Sequence, residues 1–211
     1  VSGLIEKDVE ETVGVGNYVK IEEGLTDKVA HNEAQRCLRC DVCIGCGLCM
    51  AACSEMGVEA LRMADTKAGR MVIVSNGDIT NMLEQTRYLK SQGFTPYGSN
   101  DAEVIVASIA CYYEQEQDMA KAVKRMMETV LGSYSAILMF QGTMYVFRDP
   151  LGIRPLAMGH KGETRIFASE SCAIDTIGGI FEREVAPGEL LTVSDQGLES
   201  RVLVEKKPYK H

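Results

Sequence analysis

The stretch RCLRCDVCIGCGLCMAAC, residues 36–53, places six cysteines in eighteen positions, five of them at three-residue steps. Thiols this crowded do not pack as ordinary core residues, so the stretch has to be cross-linked or to hold metal. Disulfides require an oxidising compartment, and small disulfide scaffolds spread their cysteines along the chain. Structural zinc takes two ligand pairs separated by a finger-length spacer that this run lacks. The weight falls on iron and sulfide, because CIGCGLCMAAC reads C-x2-C-x2-C-x3-C, a spacing that wraps a tight loop of thiolates around one cubane. Gly45 and Gly47 let the backbone turn closely about such a cluster.

The expectation is one [4Fe-4S] cluster, held by Cys43, Cys46, Cys49 and either Cys53 or one of Cys37 and Cys40. The spacing is that of bacterial ferredoxins, although Ser54 stands where they have proline, and a second cubane would need more thiols than the run offers. Leu25, Val29, Ala30 and Ala34 form a helical stripe ahead of the run, with Thr26 or Asp27 as caps, so a short helix delivers Cys37 into the loop. The wording of EEGLTDKVAHNEAQRCLRC resembles a segment of flavin-dependent oxidoreductases of the glutamate synthase small-subunit type. That resemblance implies electron transfer to or from a flavin domain. GVG at 14–16 is too short for a dinucleotide fingerprint and reads as a turn.

The chain has 211 residues and a formal net charge of −8, with 45% hydrophobic and 25% charged residues. That is the composition of a globular protein, long enough for a small module and one domain. Residues 1–70 carry 8 basic and 12 acidic side chains and the remainder 14 and 18, so neither part is a basic arm that would neutralise nucleic-acid phosphates. No apolar run reaches the ~20 residues of a membrane span. With no leader pattern at Val1, the chain reads as cytoplasmic, with no nucleic-acid or membrane partner.

After ADTKAGR at 64–70, read as a linker, the periodicity changes. MVIVS at 71–75 predicts a buried strand and NGD a turn. Ile79, Met82, Leu83, Thr86 and Leu89 mark one helix face; Val104, Ala107, Ser108 and Cys111 mark a second helix starting near Asp101. A third carries Ala120, Val123, Met127 and Val130, with Asp118 as its cap and Met119, Met126 and Met127 as core filler. AILMFQ, GTMYVFR, RPLAMG, TRIFAS, ELLTV and SRVLV then read as strands, with Gly142 in the hairpin between the first two. Cys111 and Cys172 lie in apolar surroundings and read as small buried hydrophobes. Helices followed by a strand-rich half predict a layered α+β domain.

The motifs NGDITN (76–81), GSNDAEVI (98–105), GSYSAILM (132–139), FRDPLGIRPL (147–156), FASESCAIDTIG (167–178) and VAPGEL (185–190) occur in this order. Together they resemble the glutaminase domain of the glutamine phosphoribosylpyrophosphate amidotransferases, class II amidotransferases of the N-terminal-nucleophile hydrolase fold. The resemblance covers residues 71–204 and implies part of an αββα sandwich. It implies glutamine as substrate, with an N-terminal cysteine attacking the side-chain amide and ammonia passed to an acceptor. It further implies an oxyanion hole made of the Asn76 side-chain amide and the Gly77 backbone N–H, each such donor worth ~3 kcal/mol, and Asp101 binding the α-amino group. Asp101 is also well placed to cap its helix. Arg148, Asp149 and Arg154 read mainly as charges that order a turn.

The family's opening Cys-Gly-Ile and its HRGQ and GHxRYxT motifs are not found in this sequence, so the domain is expected to be N-terminally incomplete and inactive as a glutaminase in isolation. Ser2-Gly3-Leu4-Ile5 mimics the start, and an exposed Ser2 would be a substitute nucleophile. Missing strands would expose sheet edges that need cover from the front module or from another chain. The expected organisation is an iron–sulfur module over 1–63, a linker over 64–70, the amidotransferase-like domain over 71–204 and a tail over 205–211. Three readings compete: an incomplete class II glutaminase domain fused to an iron–sulfur module, from an ammonia-channelling or glutamate-synthase-like system; a non-catalytic electron-transfer or assembly subunit; and a join of two genes near residue 70.

Overall fold

The computed structural model describes residues 61–96 and 100–205; the cysteine run, the lead-in helix, Ser2 and the tail from 206 lie outside the described residues. The first element is not a linker. Leu61–Thr66 (β1) and Gly69–Ile79 (β2) form an antiparallel hairpin, with Asp65 opposite Arg70 and Thr66 opposite Gly69. The polar composition of ADTKAGR suggested a connection between domains, but it builds the tip of this hairpin, where the Asp65 carboxylate accepts from Arg70 Nε at 2.6 Å. The NGD turn is likewise absent, because β2 continues through it to Ile79, each residue registered against β3 (Gly132–Phe140).

Helix α1 (Met82–Ser91) follows, then α2 (Asp101–Glu116) and α3 (Met119–Thr129). The stripe expected on α1 is rotated: Ile79 ends β2, Leu83 is exposed, and Gln85 is buried in its place. Two amides explain the rotation. Asn81 Nδ2 and Gln85 Nε2 both donate to the Thr129 carbonyl at 2.9 and 2.8 Å, and Asn81 Oδ1 accepts from Leu131 N–H, tying the start of α1 to the end of α3. Helix α2 buries every residue from Ala102 to Tyr112 except Glu103, more than one stripe, because it has neighbours on several sides. Asp118 caps α3 by accepting from Lys121 N–H at 3.0 Å, and Met119, Met126 and Met127 are buried as expected.

Strand β4 (Thr143–Arg148) joins β3 through Gln141 and Gly142, both at positive φ, a two-residue turn that suits the twist of the pair. β8 (Glu189–Ser194) and β9 (Gly197–Val202) complete a six-stranded antiparallel sheet in the order β1-β2-β3-β4-β8-β9. Helices α1–α3 cover one face through Met71, Ile73, Val104, Ile105, Val123, Leu138 and their neighbours. A second sheet, β6-β5-β7, comprises Ala157–Lys161 (β5), Thr164–Ala168 (β6) and Ile180–Glu184 (β7). It meets the other face through Val146, Leu156, Met158, Val185 and Leu191. The short helix α4 (Ser171–Thr176) packs Ile174 against Gly159 and Gly179 on its outer side. The layers are therefore helix, sheet, sheet, helix. Cys111 is buried as expected, whereas Cys172 is exposed on α4, a helix whose one buried side chain is Ile174.

Candidate functional site

The alternation of backbone groups along β2 decides which of them a ligand can use. In an antiparallel pair, each residue sends its N–H and C=O to the same side, and neighbouring residues send theirs to opposite sides. Tyr134 sends both toward Asp149: its N–H donates to Asp149 Oδ2 at 3.1 Å and its carbonyl accepts from Asp149 N–H at 2.9 Å. Gly77 lies opposite Tyr134 in the β2–β3 register, so its N–H and C=O face away from β3. On that far side the described part of β1 reaches Leu61, opposite Val74. Among the described residues the Gly77 N–H therefore lacks a ladder partner.

The missing side chain of Gly77 matters equally. A Cβ there would stand 3.3 Å from Tyr134 Cβ and 3.6 Å from Asp101 Cβ. Glycine keeps that space open in front of Asp101, the first residue of α2. Asn100 rather than Asp101 caps the helix, its Oδ1 accepting from Ala102 N–H at 2.8 Å. The Asp101 carboxylate is thus released from capping. It sits beside the Ile79 backbone N–H, on the same open side of β2 as the Gly77 N–H. Burial pushes its pKa above the ordinary aspartate value, as does the charge of Asp78, while the Ile79 N–H and Arg154 pull it down.

Asn76 projects from the opposite face of the strand, as alternation requires. It is exposed and lines a cavity of about 250 Å³ between the two sheets, with Ser135, Leu156, Phe167 and Ser169. Gly77 and Asp101 are thus brought together, while the Asn76 side chain lies on the other side of the backbone. The expected turn residues form a clamp. Arg148 Nε donates to the Arg154 carbonyl at 2.6 Å, Nη1 to the Val185 carbonyl at 2.9 Å and Glu184 at 3.0 Å, and Nη2 to the Gly152 carbonyl at 2.9 Å. Asp149 Oδ1 accepts from Leu151 and Gly152 N–H, both at 2.8 Å. This clamp fixes Tyr134, and through it Gly77. Sequence reasoning gave Tyr134 no part of its own, because its place opposite Gly77 follows from the β2–β3 pairing, which no local signal encodes.

Among the described residues no three His, Cys, Asp or Glu side chains converge on a site for a metal ion, and no helix is long and apolar enough to cross a membrane. The six clustered cysteines lie outside the described residues.

Comparison with known proteins follows the same segment. Residues 55–176 match the Glutamine amidotransferase domain family. The amidophosphoribosyltransferase of Methanothermobacter thermautotrophicus is 39% identical over 128 residues, 61% of this chain and 27% of that protein. Its counterpart in Bacillus subtilis is 32% identical over 143 residues, 68% of this chain and 30% of that protein. The solved Bacillus subtilis glutamine phosphoribosylpyrophosphate amidotransferase, complexed with ADP and GMP, superposes with a TM-score of 0.61 at 30% identity, over 68% of this chain and 31% of that one. A class-II glutamine amidotransferase domain protein from Silicibacter pomeroyi shares the fold, with a TM-score of 0.51 at 17% identity over 67% of this chain and 70% of that one. The matched stretch spans less than a third of the amidophosphoribosyltransferases it resembles. It begins before residue 70, in agreement with the β1–β2 hairpin. The chain belongs to the glutamine amidotransferase domain family, with the α+β layers of an N-terminal-nucleophile hydrolase.

Proposed function

We propose that the open side of β2 is a glutamine site. One observation carries the reading: the carboxylate of Asp101 lies at the Ile79 N–H, and the Gly77 N–H, without a ladder partner among the described residues, stands two residues along the same side, about 7 Å away. That interval is close to the reach of an extended five-carbon amino acid from its α-amino nitrogen to its side-chain amide. Asp101 would take the ammonium group. Gly77 N–H, joined by the Asn76 side-chain amide, would meet the oxygen that becomes negative when the amide carbon turns tetrahedral.

Neither described cysteine suits the attack: Cys111 is buried in the helical layer and Cys172 rides the outer helix. The attacking group comes from outside the described residues, and we propose that the isolated chain binds glutamine without turning it over. L-Glutamine should raise the melting temperature of the full chain, since a ligand that binds only the folded state stabilises it. Asp101→Asn should abolish the rise. Absence of any rise in the wild-type chain would defeat the reading, and steady ammonia release abolished by Ser2→Ala would defeat the claim of inactivity.

We further propose one [4Fe-4S] cluster held by Cys43, Cys46, Cys49 and one of Cys37, Cys40 and Cys53, supported by the spacing of those thiols. Such a cluster would suit an electron-transfer or amidotransferase partner chain and a reducing, cytoplasmic setting. Anaerobically purified protein should contain iron and acid-labile sulfide in a ratio near one; stoichiometric zinc instead would remove the cluster.

A further inference from the structure

We propose that the outer edge of β9 is a self-complementary surface through which two copies of this chain join their large sheets into one. β9 stands at the opposite end of that sheet from the β1–β2 hairpin, so glutamine has no part in the association.

The free N–H and C=O groups of an edge strand invite another strand, and edges are normally blunted by proline, lysine or a bulge. The sequence of β9, GLESRV, has no proline and no lysine. Its ladder with β8 runs unbroken from Val202 opposite Glu189 to Gly197 opposite Ser194. In the smaller sheet, by contrast, the β5–β7 register shifts between Met158 and Gly159. Among the described residues β9 pairs with β8 alone. The Leu203 N–H donates to the Gly188 carbonyl at 2.8 Å, which sets the phase of the strand. Arg201 and Glu199 accordingly send their N–H and C=O inward to β8, and Val202, Ser200 and Leu198 send theirs outward.

The side chains select one partner and one register. Ser200 Oγ donates to the buried Glu189 at 2.6 Å, and Leu198 packs on the core between the sheets. Glu199 and Arg201 therefore share the other face of the strand, exposed and paired with each other at 3.0 Å. A second copy laid antiparallel, with Ser200 opposite Ser200, exchanges N–H···O=C bonds between the two Ser200 residues and between Leu198 of each copy and Val202 of the other. Each Glu199 then faces Arg201 of the other copy in the closer, non-hydrogen-bonded positions, and the exposed Val202 gains Leu198 as its cross-strand neighbour. Centring the pair on Glu199 or on Arg201 would instead set like charges opposite each other. A surface that matches itself in this way gives a closed twofold dimer rather than an open chain, with α1–α3 of both copies on the same face of a continuous sheet.

The test is sedimentation of the full chain under reducing conditions, with two charge reversals. The wild-type chain should sediment as a dimer that dissociates on dilution. Glu199→Arg and Arg201→Glu should each weaken self-association by about tenfold or more, since both cross-strand pairs turn from attraction to repulsion. Each should keep the wild-type melting temperature of the diluted chain, because an exposed ion pair contributes little to folding. An equal mixture of the two variants restores both opposite-charge pairs and should dimerise again, as should the double variant carrying both reversals in one chain, which guards against a variant that merely fails to fold. A wild-type chain that stays monomeric at about 0.1 mM, enough to populate any dimer of micromolar Kd, would overturn the inference. So would a dimer retained by both single variants, which would assign association to another surface, or a mixture that fails to associate.

Discussion

Two aspartates flank the same stretch of strand and are treated in opposite ways. Asp149, after β4, is fully buried, yet both its oxygens are occupied: Oδ1 by the Leu151 and Gly152 N–H groups, Oδ2 by that of Tyr134. Asp101, at the start of α2, is only partly buried but gains less than it loses; burial and the neighbouring Asp78 outweigh the Ile79 N–H and Arg154. A carboxylate surrounded by donors holds a turn together. One moved out of water with its donors left short is ready for a cation. Burial alone would have ranked these residues the other way round, so the number of committed donors is the better guide to which aspartate is left able to take a ligand.

The contrast can be broken most directly at Asp149. Asp149→Ala strands the N–H groups of Leu151 and the buried Tyr134, while that of Gly152 keeps the Asp149 carbonyl at 3.1 Å, and should cost about 3 kcal/mol in urea unfolding. A loss below about 1 kcal/mol would mean that water replaces the carboxylate easily and that the clamp is weak.

Glu189 extends the comparison to the far side of the sheet. It is buried and accepts from Arg183 at 2.7 and 2.8 Å, from Ser200 at 2.6 Å and from the Ala186 N–H at 2.6 Å. Burial alone would raise its pKa, but these donors together bring it below the ordinary glutamate value. A lowered carboxyl pKa stabilises the fold above the unfolded-state pKa, and this contribution is lost as pH falls through the folded-state value. Glu189→Gln should therefore cost about 2 kcal/mol at neutral pH, and the gap to wild type should close in acid. A gap independent of pH would assign the effect to packing rather than charge.

Asp101→Asn should show the smallest stability effect, and with the opposite sign. A raised carboxyl pKa means that the ionised form disfavours the folded state, a penalty that is absent in acid and appears as pH rises through the unfolded- and folded-state values. The variant should melt slightly higher than wild type at neutral pH and equally in acid, while glutamine no longer shifts it. A lower melting temperature at neutral pH would place Asp101 with Asp149 as a structural residue.

How much of this was legible beforehand depended on what each residue answers to. Asp118 as a helix cap, the Gln141–Gly142 hairpin and the buried methionines of α3 follow from local rules and were readable directly. The motif order gave Gly77 and Asp101, and the structure adds why they meet: a glycine with no Cβ opposite Tyr134, and a helix capped by Asn100 so that Asp101 is free. The β1–β2 hairpin and the strand through NGD were not legible. Turn-forming residues there are overruled by pairing with β3, which no local preference encodes. The same holds for Leu83 and Gln85, whose exposure and burial are set by a carbonyl at the end of α3. Cys172 was misjudged because apolar neighbours in sequence do not say which side of a one-and-a-half-turn helix meets the sheet.

The two-residue repeat of β2 makes the candidate pocket intolerant of changes in length. One residue inserted or removed between the β1–β2 tip and Asn76 would turn the Gly77 amide inward to β3 and set the Asn76 side chain against Asp101, so both halves of the pocket would fail at once. Length changes in this strand should therefore be accepted in pairs or not at all, whatever freedom individual side chains along it retain.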